Sequence, residues 1–419
     1  MKIIGIDIGT TSVCGIRLDV KTGNVEKSRT ENSNAFIREC EPFEKIQSVD
    51  RIITLATDIL EELYDGEVAA IGVTGQMHGI VYTDKDGNAV SPLYTWQDER
   101  GNMPYGDTTY AGYMDSFSGY GGVTDFYNRE NGIVSEAAVD YCTIQDYLVM
   151  KLCSLTSPVI HNTNFASFGN GARCNKGTVV CDFAVAGSYR NTPVAVAIGD
   201  NQASVFSTLD EDSVLVNVGT GSQVSVITDA PIEADNTEIR PYFDGKYLVV
   251  GAALCGGRAY ALLKDFYKDV FSYALDVCDK DVYDIMNRML LKADGSLNAD
   301  TRFAGTRNDK TITGSVTGIT DKNFNASSLT LGVIKGMVKE LYDMYIAMGV
   351  SKKGLVASGN GIRKNKALVN VTEDMFGYKV KVPCHLEEAA FSAALYAGVA
   401  AGVFKDSKEA QRTVKYREY

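Results

Sequence analysis

Histidine is nearly absent from this chain: His78, His161 and His385 are the only three in 419 residues. None stands at metal-ligand spacing from another His or from a Cys, which excludes a structural zinc site. Nine cysteines are scattered with no Cys-x-x-Cys among them. An odd count without framework spacing excludes a disulfide scaffold and points to a reducing compartment. Positive charge is scarce as well. Lys plus Arg total 41 against 53 Asp plus Glu, a net charge of −12, so a basic footprint for nucleic acid is missing. Long apolar runs are missing too. The longest, 389–404, is interrupted by Ser392 and several Ala and Gly. It is too short for a bilayer span and reads as a buried helix. Met1 and Lys2 lead straight into a β-branched strand, leaving no room for a signal peptide. A soluble, cytoplasmic protein without nucleic-acid or membrane partners is expected.

What is present is a large globular composition, 45% hydrophobic and 22% charged, in a chain longer than one core usually supports. Two domains are therefore expected, divided between residues 192 and 193, near Arg190 to Pro193. The chain opens with a strand over Lys2 to Ile8, a Gly9-Thr10-Thr11-Ser12 turn, a second strand from Val13 and a third from Val25. This is a meander. A dinucleotide site would need G-x-G-x-x-G running into a helix, and Gly5 and Gly9 do not supply it. Ile46 to Leu63 carries a 3.6-residue apolar period that Gly66 can close, and Val68 to Val73 reads as the next strand. Residues 101–132 are rich in Gly, Tyr, Asp and Asn and show no period, so a long loop or a small excursion is expected.

The opening pattern returns 210 positions later. Ile6-Asp7-Ile8-Gly9-Thr10-Thr11-Ser12-Val13 is echoed by Asn217-Val218-Gly219-Thr220-Gly221-Ser222-Gln223-Val224, again between two apolar strands. The echo implies a duplicated α/β domain, each copy offering one Gly-Thr turn to a cleft between them. Glycine lets backbone N–H groups approach a phosphate, and the hydroxyls of Thr10, Thr11, Ser12, Thr220 and Ser222 can add donors. The alternative is an ordinary hairpin turn.

Four other positions carry candidate chemistry. Asp7 ends the first strand, where a carboxylate can hold Mg²⁺ through water or else cap the turn. Asp200 follows the apolar strand Val194 to Ile198 and opens a helical run. It is either a proton acceptor for a substrate hydroxyl or an N-cap. Met77 and His78 follow another strand end, where His78 either bonds a polyol or is a structural histidine. Trp96, the only tryptophan, stacks on a sugar or packs in the core.

Together these segments resemble the FGGY family of carbohydrate kinases, almost end to end. The resemblance implies an actin-like, ribonuclease-H-type fold, two duplicated domains with the active-site cleft between them. It implies an N-terminal domain (1–192) holding the sugar and the first phosphate turn, and a C-terminal domain (193–419) holding the catalytic Asp and the nucleotide. Gly9 to Ser12 correspond to the family's first phosphate motif and Gly219-Thr220-Gly221 to its second. Gly75-Gln76-Met77-His78-Gly79 is similar to the sugar-contacting motif. Gly199-Asp200-Asn201-Gln202-Ala203 is similar to the catalytic motif, which implies Asp200 as general base and Asp200 with Asn201 at the sugar. Gly257, Gly361 and Asn365 fall where the family contacts nucleotide. ATP and Mg²⁺ are the implied cofactors, with Mg²⁺ on the Asp7 side. Cys14 stands where relatives often carry Lys or Arg, and residues 101–140 are shorter than in typical relatives.

Within the family the chain most resembles the sedoheptulokinases. Val73 to Gly79, Thr95-Trp96-Gln97-Asp98, Ile144 to Val149, Asn164 to Ser167 and Gly199 to Val205 carry that likeness. The expected reaction is ATP-dependent phosphorylation of a ketose primary hydroxyl, sedoheptulose giving its 7-phosphate, in a cleft that closes on the sugar. Xylulose or another ketose or polyol is the alternative substrate. An ATP-driven conformational machine of the actin or heat-shock chaperone type is the remote alternative. A homodimer is carried as the assembly.

Overall fold

A computed structural model describes residues 1–418 apart from 39, 210, 276–280, 294, 296, 307 and 308. The chain forms two compact units. The first comprises Met1–Ser207, Pro241–Gly245 and His385–Lys415. The second comprises Thr208–Arg240, Lys246–Cys384 and Tyr416–Tyr419.

The first unit is built on β1 (Lys2–Ile8), a β-branched run whose Ile3, Ile4, Ile6 and Ile8 are fully buried. Such a strand is covered on both faces. β2 (Ser12–Asp19) and β3 (Asn24–Asn32) continue it as an antiparallel meander, as the turn residues predict. Helix α1 (Val49–Leu63) then crosses over, with Ser48 Oγ accepting the Arg51 N–H as its N-cap. Its Ile52, Ala56, Ile59, Leu60 and Leu63 are buried. The helix ends at Leu63, where the apolar period ends; the next residue, Tyr64, is already extended, so Gly66 does not close it, and Ile46 lies in a short strand before the helix. The crossover delivers β4 (Val68–Gly75) parallel to β1. Residues 101–132 are not a bare loop. They hold a one-turn helix (Tyr110–Tyr113) and α2 (Gly121–Glu130), joined by Tyr105, Tyr110, Tyr113 and Phe126 with ring centroids 4.7 to 5.6 Å apart. Ring contacts rather than an amphipathic stripe hold this segment, so no period marks it in the sequence. Helix α3 (Ile144–Leu152) follows, with a Thr143–Asp146 capping box.

The hairpin of β5 (Val185–Tyr189) and β6 (Thr192–Ala195) completes a sheet in the order β5-β6-β4-β1-β2-β3. Its turn residues Arg190 and Asn191 both have positive φ, 49° and 68°. That matches the twist a tight hairpin needs. The boundary drawn after residue 192 therefore cuts through one sheet. β6 pairs in parallel with β4, and β7 (Ile198–Gly199) pairs with the last two residues of β4. This pairing carries α4 (Asp200–Phe206), and with it Asp200, into the first unit rather than the C-terminal domain. The long helix Glu388–Ala400 returns to the same unit and lies directly on the sheet. A Cβ on Gly5 would sit 1.9 Å from Ala390 O, and one on Gly72 would sit 1.8 Å from Ala393 O. Glycine at those two positions is what lets the helix backbone touch the strands.

The second unit repeats the plan. β8 (Ser213–Val218) pairs antiparallel with β9 (Ser222–Thr228). β10 (Thr237–Pro241) forms the edge, and β11 (Tyr247–Ala253) pairs antiparallel with β9. Helices α5 (Gly256–Leu275), α6 (Val282–Leu290) and α7 (Ala326–Ala347) follow. β12 (Gly354–Ser358) then pairs in parallel with β8. β12 runs directly into α8 (Gly359–Lys364). α9 (Lys366–Phe376) is closed by Gly377 in the left-handed region. β13 (Val380–Pro383) is parallel to β12, and β14 (Tyr416–Glu418) is antiparallel to β13. The path β11-β9-β8-β12-β13-β14 has the same order and directions as β3-β2-β1-β4-β6-β5. The echo at Gly219 thus marks a duplicated fold, and both Gly-Thr turns join the same two strands. No helix among the described residues is long and apolar enough to cross a membrane.

Candidate active site

Three chain segments of the first unit end side by side. Asp7 pairs with Thr74 and Ile8 with Gly75 across β1 and β4, and Gly199 pairs with Gly75 across β7 and β4. All three strands are parallel, so Asp7, Gln76 to His78 and Asp200 emerge at one set of carboxyl ends, where α/β sheets bind their ligands. The join is tight. Thr74 Oγ1 donates to Ile198 O at 2.8 Å, and Gly199 N–H donates to Thr163 Oγ1 at 3.1 Å.

Asp7 is half-buried there, within the field of other carboxylates. Its Oδ1 is shielded and has no hydrogen-bond partner. Burial, then the charge of Asp200, then that of Glu387, push its carboxyl up to about 7. It is therefore not the turn cap, which would show an amide donor on that oxygen. Carboxylates that destabilise one another around an orphaned oxygen call for a cation. Among the described residues no three metal-ligating side chains meet closely enough to hold one directly. The donor set thus fits Mg²⁺ held through water from Asp7. Asp200 is the first residue of α4, and Gly199, at the N-cap position, offers no side chain. Cys14, opposite Asp7 on β2, brings no charge: burial pushes its thiol up to about 12.

The segment after β4 is braced on both sides. Met77 is 4% exposed and wedged against Gly199, where a Cβ would lie 2.7 Å from its Sδ. His78 takes positive φ (72°), its N–H donates to Ser167 Oγ at 3.1 Å, and its Nδ1 lies 2.7 Å from Ser167 O. A carbonyl partner fixes the proton on Nδ1 and makes Nε2 an acceptor. The ring stacks on Tyr120 with centroids 4.2 Å apart. Behind this lies a fully buried polar lattice. Gln145 Nε2 donates to Gly75 O and Asn164 Oδ1, while Asn164 Nδ2 donates to Asp146 Oδ1 and Ala197 O. Burial pushes the Asp146 carboxyl up to about 7.

The first Gly-Thr turn is tied to the same surroundings. Gln47 Nε2 donates to Thr10 O at 2.6 Å, and Ser33 N–H donates to Thr11 O. Trp96 is 46% exposed and its indole N–H donates to Thr10 Oγ1 at 2.9 Å, so it is not core packing. Its loop is fixed by the buried Arg100, which donates to Asp98 and lies over Tyr94 at 4.2 Å. Gly9 and Ser12 flank this turn.

The second unit holds a cavity of about 750 Å³. Gly219, Thr220, Gly257, Gly361 and Asn365, five of the residues expected at a nucleotide, line it together, with Tyr260 and Tyr283 adding aromatic wall. Gly221 follows in the turn and is not in the wall. The backbone is close-packed here. Gly257 N–H donates to Gly219 O at 3.1 Å, and a Cβ on Gly257 would lie 2.1 Å from that oxygen. Asn365 Oδ1 accepts from Leu368 N–H and so caps α9. Sequence reading missed Tyr120, Gln47 and Glu387; Gln145 lies in the Ile144 to Val149 segment that carries the family likeness, but nothing there gave it a role.

Comparison with known proteins agrees with this geometry. The FGGY family of carbohydrate kinases matches with its N-terminal domain over residues 2–110 and its C-terminal domain over residues 214–401. The chain is 29% identical to the sedoheptulokinase of Mus musculus, over 94% of this chain and 96% of the relative. It is 26% identical to that of Homo sapiens, over 89% and 92%. A crystal structure of xylulose kinase from Rhodospirillum rubrum superposes with a TM-score of 0.85 at 16% identity, covering 100% of this chain and 94% of the other, which shows the shared fold. The chain belongs to the FGGY family of carbohydrate kinases and is an ATP-dependent sugar kinase.

Proposed function

We propose that the chain transfers the γ-phosphoryl group of ATP to the primary hydroxyl of a ketose, converting sedoheptulose to sedoheptulose 7-phosphate. The observation that carries the reaction is the meeting of Asp200, Asp7 and the Met77-His78 segment at one set of strand ends. The similarity to two sedoheptulokinases over nearly the whole chain supports the choice of sugar.

In this reading Asp200 accepts the hydroxyl proton as the oxygen attacks. Its basicity need not be raised, since the hydroxyl acidifies only as the new P–O bond forms in a loose transition state. Asn201 beside it and His78 Nε2 orient the sugar hydroxyls, and Met77 packs against Gly199 at the edge of the sugar site. Gly9 to Ser12 and Gly219 to Gly221 cradle phosphate oxygens with backbone N–H groups. Gly257, Gly361 and Asn365 receive the nucleoside. Asp7 would hold Mg²⁺ through water, and the ion would supply neutralisation of phosphate charge. Alignment of hydroxyl and phosphate supplies much of the rate.

A coupled ADP-release assay over sedoheptulose, xylulose, ribulose, fructose, glycerol and gluconate tests this. Sedoheptulose should give the highest kcat/KM. A clear preference for another sugar would replace the substrate, and turnover indifferent to every sugar would replace the reaction.

A further inference from the structure

A second cavity, of about 360 Å³, lies in the second unit against a different face of α7. Ile334 and Met337 of that helix face the nucleotide-sized cavity, whereas Lys339, Glu340 and Asp343 face this one. Its other walls are the antiparallel pair Asn298–Asp300 and Ser315–Thr317, with Asn236. Two wall atoms lack partners. Thr301 is 2% exposed and its Oγ1 has no hydrogen bond, and Asn236 Oδ1 is shielded without one. Folded proteins rarely leave such atoms unsatisfied unless water or a ligand completes them.

The charges in the wall are already paired. Arg302 Nη2 meets Asp300 Oδ2 at 2.6 Å, and Lys339 Nζ meets Asp343 Oδ2 at 2.5 Å. An anion would face three carboxyl groups, and a cation would face Arg302 and Lys339. A neutral ligand disturbs neither pair. Burial pushes the Glu340 carboxyl up to about 7, so near neutrality it can donate as well as accept. Hydroxyls, carboxamides and a carboxyl of this kind are the groups that recognise sugar alcohols, and the volume suits one monosaccharide-sized molecule.

We propose that this cavity is a second small-molecule site, separate from the sugar and nucleotide sites, and that it takes a neutral polyhydroxylated compound. The unpartnered Thr301 hydroxyl and Asn236 carbonyl are its anchors.

Calorimetric titration of the full chain with xylitol, sorbitol, myo-inositol, inorganic phosphate and glycine tests it. At least one polyol should bind, and one site for it should survive His78→Ala and Asp200→Asn in the first unit. Ser315→Trp, which fills the cavity from an exposed strand, should abolish that site, and Thr301→Val should weaken it about tenfold while kinase activity persists. Should Ser315→Trp fail to fold, Thr301→Val decides alone. The proposal is overturned if no polyol binds, if only phosphate or glycine binds, if His78→Ala removes all polyol binding, or if the folded cavity variants bind polyol like the parent.

Discussion

The Asp200 carboxylate raises the proton affinity of Asp7; the two stand at the carboxyl ends of parallel strands on either side of β4. Two acidic groups so placed destabilise the empty protein and prepare it for a cation. A fold selected for stability alone would not keep them together.

The pH dependence of stability follows from the shielding of the Asp7 carboxyl first and from its acidic neighbours second. The Asp7 carboxyl titrates at about 7 in the folded chain and near the ordinary carboxylate value when unfolded. Between those values the folded state binds the extra proton, so stability falls as pH rises from about 4 to about 7 and is flat above. Asp7→Asn removes this loss. Its melting temperature should exceed the parent's at pH 8, by the equivalent of about 1–3 kcal/mol, and match it at pH 4. Added Mg²⁺ should raise the melting temperature of the parent more than that of the variant. An Asp7→Asn protein less stable than the parent at pH 8 would refute the repulsion. Asp146, raised by burial to about the same value, leaves a residual slope in both proteins.

Asp200→Asn keeps the shape of the first residue of α4 and removes the proton acceptor. Its kcat should fall about 10²–10⁴-fold, the range for loss of a general base, with ketose KM and ADP affinity changed little. A parallel rise in ketose KM would mean that Asp200 chiefly binds the sugar.

His78 is aimed by two neighbours, one of them (Tyr120) outside every motif. Tyr120 stacks on its ring, and Ser167 holds both its N–H and its Nδ1. Tyr120→Leu keeps bulk but loses the stack. It should raise ketose KM about threefold to tenfold, in line with an aromatic pair of about 0.5–1.5 kcal/mol, and leave ADP binding alone. Equal changes in kcat and KM for every sugar would point to general loosening of the site instead.

These cases separate what the sequence discloses from what it hides. Asp7, Asp200 and both Gly-Thr turns are readable because each sits at a strand end punctuated by glycine, and strand ends are local features. The duplication is readable because strand–turn–strand is local too. Tyr120 lies 42 positions from His78, Gln145 70 from Gly75 and Glu387 187 or more from Asp200 and Asp7, and only the closed fold brings them near. The domain boundary was misplaced for a related reason. Arg190-Asn191 looks like a linker, yet β6 and β7 pair with β4, a strand more than a hundred residues earlier. Residues 101–132 hide their helices because ring packing, not periodicity, holds them.

Gly221 offers a test in which protein and ligand can be told apart. At Gly257 an added Cβ would strike Gly219 O at 2.1 Å, so Gly257→Ala must displace the turn whether or not phosphate binds there. At Gly221 the nearest atom to an added Cβ is Ala253 O at 3.5 Å, an ordinary contact, and the backbone needs no positive φ. Gly221→Ala should therefore melt like the parent when no nucleotide is present. If the turn lies against phosphate oxygens, the methyl group occupies the space through which they approach, and ADP should bind about tenfold more weakly. Unchanged ADP affinity in a normally folded Gly221→Ala protein would show that the second Gly-Thr turn is only a hairpin, and phosphate binding would have to be sought elsewhere around the Gly219–Gly257 cavity.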